Sequence, residues 1–277
     1  MGKSLTAAQI AGYEHDGYVA PIRIMSEDAA AEIRARLLAA EATQGGPMAG
    51  ALRFKPHILY TFLDDLVRDE GLLDAVEDVL GPNILCWASA FFTKEAHDPS
   101  FVSWHQDSTY WGLSTPEVTT AWVALSSSTP ENGCMRVIPG SHTAEQISHT
   151  DTHHENNMLS RGQVIDTEID ESRAVNIVLR PGEMSLHHVR LIHGSEANHS
   201  DGRRIGFAIR YIPTHLHQVN GPHDAAGLVR GDDEYGNFEI EPSPRTDLDP
   251  KAVAYHARSA ELHGQLLYQG TERQPYS

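Results

Sequence analysis

The segment Trp104-His105-Gln106-Asp107 sets an imidazole and a carboxylate two residues apart. On an extended strand, residues i and i+2 project from the same face, so His105 and Asp107 stand side by side. They supply two of the three donors of a facial triad, which leaves adjacent positions on a non-haem Fe(II) open for a chelating co-substrate and O2. The chain holds 17 histidines, so an isolated His-x-Asp pair decides little. A second segment, His193 to Arg204, adds weight. Residues 194–202 are rich in Gly, Ser, Asn and Asp and form a turn between two strand-like stretches. His193 then ends one strand and Arg204 opens its antiparallel neighbour, which brings a guanidinium near the metal. 2-Oxoglutarate binds iron through its keto-acid end and needs a cation for the distal carboxylate, a task that suits a guanidinium fork. From the residues alone, His187 and His188 stand as alternatives to His193 for the third donor.

The same chain carries Glu131-Asn132-Gly133 leading to Ile138-Pro139-Gly140-Ser141-His142, then His193-Gly194-Ser195 with Asn198 and Ser200, and Arg204 eleven positions after His193. Together with His105-Gln106-Asp107 and the opening Asp16-Gly17-Tyr18-Val19, this resembles the phytanoyl-CoA dioxygenase family over about residues 5–213. The resemblance implies a mainly β fold with flanking helices, a double-stranded β-helix (jelly roll, cupin-like), with Fe(II) and 2-oxoglutarate between its sheets. It implies His105, Asp107 and His193 as metal ligands and Arg204 as anchor of the distal carboxylate. Ser195 and Gln106 follow as co-substrate contacts and Trp122 as a pocket wall. His193 is preferred to the His187-His188 pair because only it has the Gly-Ser turn and an arginine at the family's distance. Related halogenases have Gly or Ala where this chain has Asp107, so hydroxylation is expected rather than halogenation.

Other chemistry-bearing residues receive plainer readings. His149, His153 and His154 lie among polar residues and read as solvated, His142 as a structural loop residue, and Cys134 as a packed thiol. Asn198-His199-Ser200 is only formally a glycosylation sequon. Strand alternation puts Arg204, Gly206, Ala208 and Arg210 on one face and Ile205, Phe207, Ile209 and Tyr211 on the other. Arg210 either meets an anionic substrate or forms an ion pair at the barrel rim. The expected substrate is a small polar metabolite, an aminoalkylphosphonate such as 2-aminoethylphosphonate being one candidate. Arg210 or Lys94 would meet the phosphonate and Asp232 or Asp233 the ammonium group. An acyl-CoA or natural-product substrate is the alternative. From other classes, a cupin-like isomerase or hydrolase leaves Arg204 unexplained, and a non-catalytic binding protein leaves the triad unexplained.

The elements that must position these groups are legible in outline. A short polar helix is expected over Leu5–Tyr18, ending at Asp16-Gly17. A second runs from an N-cap at Ser26 to about Thr43 with Ile33, Leu37 and Ala40 on one face, and a third carries Leu72, Val76, Val79 and Leu80 to Gly81-Pro82. Seven β-rich stretches follow: Ile84–Thr93, Phe101–Asp107, Thr119–Leu125, Met135–Ile138, Ala174–Leu179, Glu183–His187 and Arg204–Ile212. Residues 215–248 read as a polar lid or binding loop, and Asp249-Pro250 opens a last helix to about Tyr268. The expected organisation is one domain over 1–277, with helical support to 82, a barrel over 83–213, and the lid and final helix beyond.

Composition narrows the partners. A formal net charge of −17 disfavours nucleic acid, whose phosphates require a basic surface, and leaves any anionic ligand dependent on cations inside the pocket. No apolar run reaches the roughly 20 residues of a membrane helix, and the opening residues do not read as a secretion signal. With two cysteines, Cys86 and Cys134, no disulfide framework is expected. The expected setting is cytoplasmic, with a small-molecule substrate and no membrane, and the oligomeric state is not readable from the sequence.

Overall fold

A computed structural model of the chain describes residues 2–220 and 224–268. The elements run α1 (Ala7–Asp16), β1 (Tyr18–Arg23), α2 (Glu27–Gln44), α3 (Thr61–Val67), α4 (Glu70–Leu80), β2 (Ile84–Lys94) and β3 (Val102–His105). They continue with β4 (Thr119–Ala124), β5 (Arg136–Val137), β6 (His149–Asp151), β7 (Gln163–Ile165), β8 (Val175–Asn176) and β9 (Glu183–His188). The chain then forms β10 (His193–Ser195), β11 (Arg204–Pro213), β12 (Ala225–Arg230), β13 (Glu239–Ile240) and α5 (Pro250–Leu267). Among the described residues, a seven-stranded sheet in the order β1-β9-β4-β11-β2-β12-β13 faces a four-stranded sheet in the order β3-β10-β5-β8. This is the double-stranded β-helix.

Alternation along β11 decides which side of the large sheet faces which partner. Ile205, Phe207, Ile209 and Tyr211 join the main apolar core with Leu63, Leu66, Leu72 and Val76 from α3 and α4. The opposite face points between the sheets, where Trp122, Ala208, Val137 and Leu191 form a smaller apolar cluster. The helices begin where side chains can satisfy free N–H groups. Thr6 and Gln9 form a capping box on α1, Ser26 Oγ accepts from Ala29 N–H on α2, and Asp69 caps α4.

Several expected elements differ in detail. Tyr18 belongs to β1 rather than α1, because Gly17 ends the helix in the left-handed region (φ 80°) and the chain reverses onto β9. That glycine is required twice over, since a Cβ there would lie 2.5 Å from the His142 ring. His142 is accordingly structural, its Nε2 donating to the Glu14 carbonyl at 3.1 Å. The expected lid over 215–248, of which 221–223 lie outside the described residues, is not simply a loop. Its Ala225–Arg230 portion pairs with β2 and extends the large sheet, with Ala226 and Phe238 buried beneath it. The polar, Gly-rich flanks concealed this strand, whose six residues show no two-residue alternation of burial.

Candidate metal centre and adjoining cavities

Strand register builds the metal centre. β10 pairs antiparallel with β3 so that His193 lies directly opposite His105, their ring centroids 4.1 Å apart. β3 ends at His105, and Gln106 stays extended before a 3-10 turn starts at Asp107. The i, i+2 relation therefore survives the end of the strand. One donor atom from each of His105, Asp107 and His193 lies within 4.8 Å of the others. Both imidazoles are oriented from behind. His105 Nδ1 donates to the carbonyls of Ser103 (2.9 Å) and His193 (3.0 Å), and His193 Nδ1 donates to Leu191 O at 2.9 Å. Each Nε2 is thereby left as a lone pair for a cation. Burial pushes His193 down to about 4, keeping it neutral. Burial alone would raise the Asp107 carboxyl, but the adjoining His105 and His193 rings and the Arg210 charge hold it well below the usual carboxylate range. Two imidazoles and a carboxylate are a donor set that fits Fe(II).

Beside the trio lies a small cleft of about 40 Å³ whose wall includes Trp122, Ser195, Arg204 and Ala208. Arg204 is 2% exposed, donates one N–H to the Gly133 carbonyl, and has its Nε unpartnered. Burial lowers it to about 10, so it stays cationic at neutral pH. Its guanidinium carbon sits 5.5 Å from the Trp122 ring centroid. A Cβ on Gly206 would meet that ring at 1.9 Å, so the glycine one alternation after Arg204 is what admits Trp122. A buried, incompletely paired guanidinium on the wall of the cleft that the metal donors also line fits a dicarboxylate chelating through its other end.

A larger cavity of about 240 Å³ opens on the other side of Asp107. Its wall includes Arg53, Trp87, Phe92, Trp111, Arg210 and His263. Of these, only Arg210 was singled out by the sequence. Trp87 enters through a β-bulge: Arg210 pairs with Ala88 and Tyr211 with Cys86, so Trp87 is the extra residue and is re-aimed. Its Nε1 donates to Asp224 at 2.7 Å. His263 comes from α5, stacked on Phe54 with centroids 3.8 Å apart. Alternation in β2 and the aromatic composition of α5 hint at these residues, but no local pattern reveals a bulge or a distant helix.

The model of the family described as phytanoyl-CoA dioxygenase (PhyH) matches residues 13–206, more than half of the chain. The chain belongs to this family. A probable alpha-ketoglutarate-dependent hypophosphite dioxygenase of Stutzerimonas stutzeri is 30% identical over 201 residues, covering 72% of this chain and 66% of that protein. Ectoine dioxygenase of Streptomyces avermitilis is 28% identical over 153 residues, 50% of this chain and 52% of that protein. The chain thus spans about half to two thirds of the curated relatives it matches. Among solved structures, the apo form of the non-heme monooxygenase ThoJ superposes with a TM-score of 0.84 at 32% identity, covering 94% of this chain and 98% of that one. The family relatives are Fe(II)- and 2-oxoglutarate-dependent oxygenases, and the donor set and cleft described above suit both groups. No described helix is long and apolar enough to cross a membrane.

Within this family member, four sequence expectations need correction. Gln106 does not face the cleft. Lying between two inward residues, it points the other way, its Nε2 donating to Arg190 O (2.9 Å) and its Oε1 accepting from Ile147 N–H (2.8 Å). Lys94 is not on the larger cavity. It pairs across the sheet with Arg204, is fully buried, and donates to Ser195 Oγ at 2.8 Å and to the Glu196 carbonyl. This places it behind Ser195, beside the cleft that Ser195 and Arg204 line. Asp232 and Asp233 are away from both cavities, near Asn83 at the start of β2, where the Asp232 N–H donates to Asn83 Oδ1. His149 is half-buried rather than solvated, its Nε2 accepting the Gln106 N–H at 3.0 Å.

Other expectations stand as read. His187 and His188 are not in the donor group: the His187 ring lies 5.0 Å from His193, and His188 turns toward His142. Cys134 is buried, and burial raises its thiol, as befits packing rather than nucleophilic use. Asn198 is buried, with its amide donating to Glu95 O and Gly202 O, so it braces the turn between β10 and β11.

Proposed function

We propose that this chain is an Fe(II)- and 2-oxoglutarate-dependent dioxygenase that hydroxylates an unactivated C–H bond of a small polar metabolite. The observation that carries this reading is the pairing of the His105, Asp107 and His193 donors with the buried Arg204 guanidinium on the wall of one cleft. His105, Asp107 and His193 would hold the metal. Arg204, assisted by Lys94 and Ser195, would hold the distal carboxylate of 2-oxoglutarate. When bound, these groups and O2 supply oxidative decarboxylation to succinate and CO2, coupled to insertion of one oxygen atom into the substrate C–H bond. The protein's part is orientation and dryness: both Nδ1–H groups fix the imidazoles, and Trp122 walls the cleft. A metal-dependent isomerase or hydrolase on the same barrel would have no use for the Arg204 pocket.

The test is anaerobic addition of Fe(II) and 2-oxoglutarate to the purified chain, watching for the weak visible metal-to-ligand charge-transfer band. Succinate release with candidate substrates, 2-aminoethylphosphonate first, would follow. The band should form in the native chain and vanish when His105 and His193 are both replaced by Ala, and Asp107→Ala should abolish substrate hydroxylation. Absence of the band from the native chain, its persistence without both imidazoles, or full hydroxylation in Asp107→Ala refutes the assignment. Background succinate with 2-aminoethylphosphonate would remove that substrate alone.

A further inference from the structure

The larger cavity has a charge pattern that the metal centre does not require. Arg210 is 9% exposed, its Nε is unpartnered, and it makes none of the described hydrogen bonds. Its guanidinium carbon lies 5.6 Å from the Phe92 ring centroid and 5.7 Å from that of Trp111. Arg53 packs on the same Phe92 ring at 4.6 Å, held by bonds from Nε to Phe91 O and from Nη1 to Met158 O. Two cations thus share one aromatic ring, and burial and then the Arg210 charge lower Arg53 to about 10. The third polar feature is His263, whose buried Nδ1 has no partner. Burial, with Lys55 and Arg210 nearby, keeps this imidazole neutral.

The sole carboxylate on this wall, among the described residues, is Asp107, which belongs to the metal donor set. Two positive charges and an idle ring nitrogen, without a spare acid, form a site that lacks an anion. An unpaired buried charge is costly, so the arrangement is explained if a ligand completes it. An ammonium group would meet two like charges and no carboxylate besides the metal donor Asp107.

We infer that the larger cavity is an anion subsite in which Arg210, Arg53 and His263 bind a carboxylate or phosphonate on the substrate. The rest of the substrate is apolar enough to lie against Trp87, Phe92 and Trp111. This rests on the oxygenase reading and deepens it. It also assigns α5 a part in substrate choice, although that helix lies beyond the residues matched by the family model. His263 donates its Nδ1–H to the anion and the arginines provide charge-assisted bonds. Arg210, on the strand that also carries Arg204, sets the distance between anion and metal.

The experiment uses the full chain loaded anaerobically with Fe(II) and 2-oxoglutarate. The probes are butylphosphonate, butyrate, uncharged butyramide and butylammonium. Binding is read by tryptophan fluorescence, since Trp87 and Trp111 line the cavity, and by perturbation of the charge-transfer band. At least one anion should bind about tenfold or more tightly than butyramide, as expected for charge-assisted recognition, and the stronger of the two anions identifies the headgroup. Arg210→Met should remove that preference while butyramide affinity stays within about twofold. His263→Phe, which keeps the stacking on Phe54, should weaken the anion severalfold. Because Arg53 also braces backbone carbonyls, Arg53→Lys is the variant of choice there, and it should weaken the anion while the band still forms. Equal affinity for butyramide and both anions, preference for butylammonium, or unchanged anion binding in Arg210→Met overturns the inference. Failure of the band in the native chain would refute the oxygenase reading instead, with fluorescence still reporting on the anion subsite.

Discussion

Gly206→Ala offers a sharp test of how the co-substrate cleft is built. Gly206 pairs with Ala124 across β11 and β4, and Trp122 lies two residues along, paired with Ala208. A methyl group at 206 would lie 1.9 Å from Trp122 Cζ2 and 2.4 Å from Cε2 and Cη2. Ordinary carbon contacts are about 3.5–4.0 Å, so the ring must move by well over 1 Å. The paired strands hold the backbone, and the ring is 6% exposed, which leaves rotation into the 40 Å³ cleft as the open route. Overpacking of this kind costs about 1–3 kcal/mol, or a fall in Tm of several degrees at about 2–4 °C per kcal/mol. The displaced indole would also invade the volume below Arg204, so 2-oxoglutarate affinity should drop by about tenfold or more, an effect near 1.4 kcal/mol. Titration of the charge-transfer band gives the affinity and thermal unfolding gives the stability. Trp122→Phe in the Gly206→Ala background should restore part of both, with a coupling of about 1 kcal/mol in a double-mutant cycle. An unchanged Gly206→Ala protein, or strictly additive single effects, would show that Trp122 is not confined as described.

Lys94, lowered to about 7 mainly by burial and by the Arg204 charge, should make co-substrate binding pH-dependent. Above that pH the free protein carries it neutral, so binding a carboxylate must take up a proton and affinity should fall as pH rises. The same titration on Lys94→Met should be weaker and nearly flat; a native-like slope in that variant rejects the role. Gln106→Leu should leave 2-oxoglutarate affinity unchanged while lowering Tm, because the amide ties Ile147 to Arg190 rather than touching the cleft. A large affinity loss at full stability would restore it as a co-substrate contact. Lys55→Met leaves the buried Glu241 carboxylate without its lysine partner, so unfolding free energy should fall by roughly 3–5 kcal/mol. The charge-transfer band at saturating 2-oxoglutarate should persist, and denaturant unfolding with the same midpoint as the parent would contradict this.

Much of the centre was readable from sequence because short periods are physical. His105 and Asp107 share a face through the two-residue repeat of extended chain, and that repeat also sorted Arg204, Gly206, Ala208 and Arg210 from Ile205, Phe207, Ile209 and Tyr211. The one error on that logic, Gln106, was corrected by the same rule, since a residue between two inward neighbours points outward. The reading of residues 194–202 as a turn between antiparallel neighbours needs correction, because His193 opens β10 in the four-stranded sheet while Arg204 opens β11 in the seven-stranded one, and the two residues meet across the space between the sheets. Lys94 was misread for a different reason: a lone lysine at a strand end does not reveal which cavity its neighbour across the sheet belongs to.

The amino-acid sequence by itself determined the donor types, the two-residue spacing of His105 and Asp107 and the eleven residues from His193 to Arg204, each encoded within a dozen residues. Tertiary structure alone assembled the larger cavity. Arg53 arrives from the segment after α2, Trp87 through a one-residue bulge, and His263 from the final helix. These groups are brought together by packing between segments far apart in the chain, and no local periodicity encodes contacts of that range.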